Sequence, residues 1–216
     1  MISKYGLVPL VVIFLINILS GVFGFYIKPD LWYISIVPIM LLMFSLYFFR
    51  MPKKPGVEDN KIVYSPATGK VVEVVESEES EFIKSKVTKI TIFLSVVDCH
   101  VNVSPVKAVI DYINHVPGLK LNALDPRSSL ENEYVLLGLK MANDLKISVR
   151  QIAGLIARRI ICDRKVGAEL NQCEVYGMIR FGSRTEICIP IDSGFTSSVK
   201  VGDKVNCGHS ILGKFE

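Results

Sequence analysis

Hydrophobic positions are most concentrated in the first 50 residues of the chain. No charged residue occurs between positions 5 and 27, and none between positions 31 and 49. Each run is long enough to cross the ~30 Å hydrocarbon core of a bilayer as a helix, which takes about 20 residues. The connection Lys28-Pro29-Asp30 allows only a tight turn. The pattern therefore predicts a two-helix transmembrane hairpin over residues 1–50, with spans at about 5–27 and 31–49.

Flanking charges predict the orientation of this hairpin. Arg50, Lys53 and Lys54 follow the second run and Lys4 precedes the first, whereas the connection carries only Lys28. The positive-inside rule then places both termini and the following domain in the cytoplasm, at the cell (inner) membrane. A cleaved signal peptide is the alternative for the first run. It fits less well, because the apolar stretch is long and a second one follows at once.

Beyond a linker at residues 51–60, which is rich in Pro and Gly, the pattern becomes typical of β-structure. Short runs of Val, Ile, Thr and aromatic residues alternate with turn signals over residues 61–216. The segments 134–140 and 145–150 flank one such signal and predict a hairpin. Residues 151–162 are ambiguous between a strand and a short helix.

A short internal repeat predicts symmetry within this β domain. Residues 165–171, Lys-Val-Gly-Ala-Glu-Leu-Asn, are echoed at residues 200–206 as Lys-Val-Gly-Asp-Lys-Val-Asn. Each copy has a glycine turn between apolar positions and leads into a strand-like run. Two similar hairpins predict a mainly β, pseudo-symmetric domain of the barrel-sandwich (lipoyl-like) type. Two copies do not support a solenoid.

Charge and cysteine content exclude several classes of function. The 216-residue chain has a net charge of +4, and the β domain is close to neutral, so the basic footprint of a nucleic-acid-binding protein is missing. The five cysteines are odd in number and include no Cys-x-x-Cys pair. We therefore expect reduced thiols, with neither a disulfide framework nor a metal site.

Two polar motifs carry the candidate chemistry. Asp98, His100 and Asn102 would share one side of an extended segment, within a stretch that is otherwise apolar. Such a stripe needs partners or solvent, so an edge strand with a wet face is the alternative interpretation. Gly182-Ser183 lies between two apolar runs and, taken alone, is typical of a tight turn.

Together these motifs resemble the phosphatidylserine decarboxylases in their short, pyruvoyl-dependent form, and the resemblance spans the whole β domain. The paired apolar runs ending in Phe48-Phe49-Arg50 also resemble that family's membrane anchor. The matching stretches are Asp98-Cys99-His100-Val101-Asn102, residues 117–123, residues 131–133, residues 151–160 and Gly177-Met178-Ile179-Arg180-Phe181-Gly182-Ser183-Arg184.

The resemblance implies a self-processing enzyme that is cut between residues 182 and 183. Ser183 would be the nucleophile that attacks the Gly182 carbonyl. An ester, β-elimination and hydrolysis would then leave a pyruvoyl group, which is the cofactor and Schiff-base electrophile. His100 would be the general base and acid, with Asp98 as an orienter, and no metal is implied. Chains 1–182 and 183–216 would stay associated.

By the same resemblance, the reaction is decarboxylation of phosphatidylserine to phosphatidylethanolamine and CO2 at the membrane. The phospholipid is then the main partner, and homo-oligomerisation stays open. Arg158, Arg159, Arg180 and Arg184 are candidates for holding the substrate phosphate or carboxylate, although exposed arginines at a barrel end are an equal alternative.

One departure from the family pattern favours a second hypothesis. The family has Pro-Ala-Asp-Gly where this chain has Pro66-Ala67-Thr68-Gly69. Either Asp98 or Glu133 then takes over the orienting role, or the chain is an unprocessed, inactive lipid-binding homologue. The chain also has Glu186 where the family usually has an Asp after the serine, and this is a milder change than Thr68. A lipoyl- or biotinyl-type carrier domain is a third reading, but the hairpin turns lack the exposed lysine it would need.

Overall fold

The computed structural model describes residues 2–52, 56–125, 127–155, 159–180 and 182–216. The chain separates into two compact units, Met1–Met51 and Pro52–Glu216.

The first unit contains the two apolar helices that the sequence predicts. Both segments, Lys4–Ile27 and Pro29–Phe48, are long and apolar enough to cross a membrane. Asn17 links them, because its side-chain amide donates to the carbonyl oxygens of Ile13 at 2.8 Å and of Pro38 at 3.0 Å. The helical pieces in chain order are a 3₁₀ turn at Lys4–Gly6, α1 (Leu7–Val22), a π segment at Phe23–Ile27, a 3₁₀ segment at Pro29–Ser35 and α2 (Ile36–Phe48).

The second unit is mainly β, as predicted. Its helical pieces are one turn, α3 (Ser128–Glu131), and a 3₁₀ turn at Ile191–Ser193. Its strands are β1 (Ile62–Tyr64), β2 (Gly69–Glu79), β3 (Ser85–Leu94), β4 (Val101–Val103), β5 (Ala108–Val116), β6 (Tyr134–Lys140), β7 (Lys146–Ile152), β8 (Ile160–Cys162), β9 (Glu169–Leu170), β10 (Val175–Ile179), β11 (Ser183–Pro190), β12 (Phe195–Ser197), β13 (Lys204–Val205) and β14 (Ile211–Phe215).

The described strands of this unit form three antiparallel sheets. The largest is curled into half a barrel and has the order β13-β2-β3-β11-β7-β6-β5-β9. The other two are three-stranded, with the orders β1-β14-β12 and β4-β10-β8. The hairpin predicted at 134–150 is β6–β7. The ambiguous segment 151–162 supplies the end of β7 and the strand β8, with residues 156–158 outside the described part.

The strand orders are related by a pseudo-twofold axis between β7 and β11. Exchanging β7 with β11, β9 with β13 and β10 with β14 reproduces all three sheets, with β4–β6 taking the places of β1–β3 and β8 that of β12. The sequence repeat marks the same symmetry. Gly167 and Gly202 both have positive φ, +87° and +102°, in the turns before the edge strands β9 and β13. Glycine suits these turns because it has no Cβ to clash.

Alternation along the central strands builds the core and fixes where it ends. Ile187 and Ile189 on β11 pack with Ile90 and Ile92 on β3, all fully buried. Each such side chain contributes about 1.5–3 kcal/mol relative to exposure. The same inward face of β11 continues to Ser183, which pairs with Leu94 at the end of β3. The first residue of β11 therefore lies at one end of the inward, apolar face of this strand.

Candidate functional site

The candidate site surrounds the peptide bond that precedes β11. Ser183 is fully buried, and its hydroxyl has no hydrogen-bond partner among the described residues. Gly182 adopts a φ of +57°, in the left-handed region that favours glycine. Its N–H donates to Nε2 of His100 at 3.1 Å. The structure thus brings together the serine, the glycine and the histidine that the sequence singled out.

The hydrogen bonds of His100 define its tautomer. Nδ1 lies 2.9 Å from the carbonyl oxygen of Asp98, which can only accept, so Nδ1 carries the proton. Nε2 accepts from Gly182 and therefore presents its lone pair there. The ring is fully buried, and the His100 carbonyl oxygen accepts from the Ile179 N–H at 3.2 Å. Backbone groups on both sides thus fix a neutral imidazole whose basic nitrogen is directed toward residue 182.

Asp98 contacts His100 through its backbone. Its carboxylate accepts the Ser95 N–H at 2.8 Å and closes the turn that follows β3. Strand β4 begins only at Val101, so Asp98 and His100 lie in the connection before it. Strand β4 is an edge strand of its sheet, but the solvent-exposed face considered for this stretch is wrong, because His100 and Asn102 are both fully buried.

The other residues considered as orienters make different contacts. Thr68 accepts the Cys207 N–H through its hydroxyl oxygen at 3.0 Å. Glu133 lies 2.9 Å from Nε2 of His115 on the surface. Glu186 is buried and accepts from the Ser129 hydroxyl at 2.6 Å.

A buried amide network lies beside the site and was missed from the sequence. Asn102 donates to the Thr185 hydroxyl at 3.2 Å and to the Pro66 carbonyl at 3.3 Å, and it accepts from the Gln151 amide at 2.9 Å. Thr185 projects from the same face of β11 as Ser183. The Gln151 amide oxygen has no partner among the described residues. The signal for this network in the sequence was Gln151, a glutamine at an otherwise apolar strand end, because a buried polar group needs partners.

The four candidate arginines have different surroundings. Arg158 lies outside the described residues, and Arg159 is exposed. Arg180 is half-buried, and its N–H donates to the Arg159 carbonyl at 3.2 Å. Burial, and then the positive charge of Arg159, lowers the pKa of the Arg180 guanidinium. The guanidinium stays protonated at neutral pH, so Arg180 carries a positive charge two residues before Gly182, and Arg159 is attached to it through its backbone carbonyl.

Arg184 belongs to the opposite face of β11. Its side chain is buried, and its guanidinium donates to the hydroxyls of Ser128 at 3.1 Å and Ser129 at 2.7 Å. Ser129 in turn donates to Glu186. Alternation along the strand separates these side chains from Ser183. Arg184 is therefore part of the attachment of α3 to the sheet.

The five cysteines are thiols that take no part in disulfides, as the sequence predicted. Burial raises the pKa of Cys188 to about 12 and raises that of Cys207 well above its ordinary value, so both thiols are protonated. In the described part of the chain, no cluster of three or more metal-ligating side chains occurs, and the absence of a metal stays a prediction.

Comparisons with known proteins match most of the chain. A family model described as phosphatidylserine decarboxylase matches residues 41–213. A phosphatidylserine decarboxylase proenzyme of Symbiobacterium thermophilum is 39% identical over 183 residues, which cover 85% of this chain and 84% of that protein. A protein of the same name from Syntrophus aciditrophicus is 34% identical over 208 residues, 96% of this chain and 95% of its own.

Proposed function

The chain belongs to the phosphatidylserine decarboxylase family of enzymes, and on that premise we propose that it cuts itself between Gly182 and Ser183 and then decarboxylates phosphatidylserine. One observation carries the proposal. The unprotonated Nε2 of His100 lies 3.1 Å from the Gly182 nitrogen, one residue from a buried serine hydroxyl without a described partner.

In the proposed self-cleavage, Nε2 of His100 gives up the hydrogen bond from the Gly182 N–H and accepts one from the Ser183 O–H instead. The serine proton passes to Nε2 as Oγ bonds to the Gly182 carbonyl carbon. Nε2 then gives that proton to the Ser183 nitrogen as the bond between this nitrogen and the carbonyl carbon breaks. The resulting ester is lost by β-elimination, in which the Ser183 α-proton leaves and Gly182 departs as a carboxylate. Water then replaces the nitrogen as ammonia, and residue 183 becomes a pyruvoyl group.

The surroundings of Ser183 fit such a group. A charged α-amino terminus at this fully buried position would need a compensating partner, whereas a small uncharged keto-acyl group would not. When formed, the pyruvoyl group supplies a carbonyl that binds the substrate amine and accepts the electrons released with CO2. His100 is then positioned to return a proton to the product.

We propose that Arg159 and Arg180 hold the anionic headgroup. Arg180 is two residues from Gly182, and the repulsion between the two guanidinium groups is relieved when an anion binds between or beside them. Arg158 stays a candidate by its position in the sequence. Arg184 is not included, because Ser128 and Ser129 already engage its guanidinium.

The two apolar helices support a membrane anchor for this enzyme, with the catalytic domain in the cytoplasm. A tether to the bilayer raises the effective concentration of a lipid substrate. The sheet topology supports lasting association of chains 1–182 and 183–216. Strand β11 pairs with β3 on one side and β7 on the other, and β14 pairs with β1.

Intact-mass analysis and denaturing gels of the purified full chain test this function. We expect two chains, residues 1–182 and 183–216, with the smaller blocked at its N-terminus and reactive to hydrazine. Phosphatidylserine in mixed vesicles should be converted to phosphatidylethanolamine with release of CO2. A chain that stays uncut with Ser183 intact would instead support the inactive lipid-binding homologue that Thr68 suggested.

A further inference from the structure

We propose that Gly154 is a positioning residue that holds the Gly182 carbonyl group in place for self-cleavage. A methyl group added at Gly154 would lie 1.9 Å from the Gly182 carbonyl oxygen and 2.9 Å from its carbonyl carbon. The backbone after β7 is therefore packed directly against the carbonyl that Ser183 attacks. This inference rests on the proposed self-cleavage, because only that reaction uses the Gly182 carbonyl.

Residue 154 must be a glycine because of how closely it is packed, and not because of its backbone conformation. Its φ lies outside the left-handed region, so an alanine would adopt the same backbone angles without strain. The same added methyl group would also lie 3.3 Å from the side chain of Ala123. Gly154 thus fills a slot between Ala123 and the reacting carbonyl that has no room for a Cβ.

Asn132 holds this slot in position. It is almost fully buried, and its side-chain amide donates to the Ala153 carbonyl at 2.7 Å and to the Leu121 carbonyl at 2.9 Å. Its amide oxygen accepts the Leu121 N–H at 2.8 Å. The Ala153 N–H donates to the Glu133 carbonyl at 2.9 Å. Asn132 therefore holds the carbonyl group of the peptide unit that joins Ala153 to Gly154, while the Glu133 carbonyl holds the peptide unit before it. Asn132 thus acts as a second positioning residue.

The distances predict how much a side chain at position 154 would disturb the reaction. Real Cβ atoms essentially never approach other atoms closer than 3.0 Å, so an alanine would displace the Gly182 oxygen, or β7, by at least about 1.1 Å. Misplacing a reacting group by about 1 Å costs on the order of 100-fold in rate. We therefore expect Gly154→Ala to be cut about 100-fold more slowly than the wild type.

Gly213→Ala is the matched control, because it introduces the same kind of clash away from the scissile bond. A methyl group there would lie 2.3 Å from the Thr196 carbonyl oxygen in the pairing of β14 with β12. Both variants should lose thermal stability, but only Gly154→Ala should lose cleavage. Asn132→Asp keeps the shape of the side chain and removes its donors to the Ala153 and Leu121 carbonyl groups. It should slow cleavage about tenfold, by loosening the slot.

A third readout separates positioning from a general structural role. Pyruvoyl groups that form slowly in Gly154→Ala are counted with hydrazine, and decarboxylation is expressed per pyruvoyl group. We expect the wild-type value, because the Gly182 carbonyl takes no part after cleavage. An equal loss of cleavage and of turnover per pyruvoyl group would overturn the inference.

Three other outcomes also test this inference. If the wild type is cut and Gly154→Ala is cut as fast, the inference fails while the proposed function stands. If the wild type is never cut, the proposed function fails and this inference falls with it. If Gly154→Ala does not fold, Asn132→Asp decides, and cleavage of that folded variant at the wild-type rate would count against the slot.

Discussion

Replacing His100 with glutamine separates the two roles that this side chain could have. In the structure the ring accepts the Gly182 N–H through Nε2 and donates to the Asp98 carbonyl through Nδ1. A glutamine amide oxygen can still accept the Gly182 N–H, but it cannot take a proton at neutral pH. If His100 is the base for Ser183, His100→Gln should fold and stay almost entirely uncut.

The expected losses in rate and in stability differ enough to be told apart. A positioned general base contributes about 10²–10⁴-fold to a rate, which corresponds to about 3–5 kcal/mol of activation free energy. The folded state loses much less. Of the two hydrogen bonds described for the ring, glutamine keeps one, so the unfolding free energy should fall by about 1 kcal/mol. Cleavage is therefore expected to suffer far more than folding.

The assay is a time course of the uncut fraction on denaturing gels, with intact masses and thermal unfolding curves of the same samples. His115→Gln serves as the control, because His115 is exposed and its described partner is Glu133 on the surface. It should be cut at the wild-type rate. If His100→Gln were cut within about threefold of the wild type, well under the 1.4 kcal/mol of a tenfold change, the base assignment would be refuted.

Three further predictions test the site. Ser183→Ala should remain a single full-length chain that does not react with hydrazine, and a cut at 182–183 in this variant would exclude serine chemistry. Thr68→Ala should lower the unfolding free energy by about 1–2 kcal/mol, because the Cys207 N–H loses its acceptor, and a tenfold slower cleavage would instead place Thr68 in the reaction. Arg180→Met should raise the KM for phosphatidylserine about 10- to 100-fold, the value of a charge-assisted hydrogen bond. Arg184→Met, on the opposite face, should lower the melting temperature and leave KM unchanged, and equal KM values for both variants would remove Arg180 from the headgroup site.

The fold class follows from local patterns in the sequence. Uncharged runs of about 20 residues leave few alternatives to apolar helices, and the β domain is marked by short runs of branched residues between turns. The echo of residues 165–171 at 200–206 predicted symmetry. It could not predict that one half of the symmetric fold is the continuous run β4–β10, whereas the other half is assembled from both ends of the domain, β1–β3 and β11–β14. Which strands pair is a long-range property that local pattern does not carry.

The site could be predicted in its residues but only partly in its contacts. His100, Gly182 and Ser183 meet because β10 pairs with β4 in one sheet and is followed, after a short connection, by β11 in another. Asp98 shows the limit, because its carboxylate caps a turn and its backbone carbonyl contacts the imidazole. Gly154 lies in the matching stretch 151–160, to which no role was assigned from the sequence, since only the tertiary packing shows which atom lies against its Cα.

The position of the scissile bond in the topology explains how a chain can be cut there and keep its fold. Strand β10 ends at Ile179 in one three-stranded sheet, and β11 begins at Ser183 in the centre of the eight-stranded sheet. The bond therefore lies in the short connection between two sheets, and cutting it breaks no strand pair. In the proposed cut form, the strands on both sides of β11 would come from the first chain. Strands β13 and β14 would also keep their pairs with β2 and β1. Gly182 would be free to move away from residue 183, and this opens a buried position to a substrate without unfolding the sheet around it.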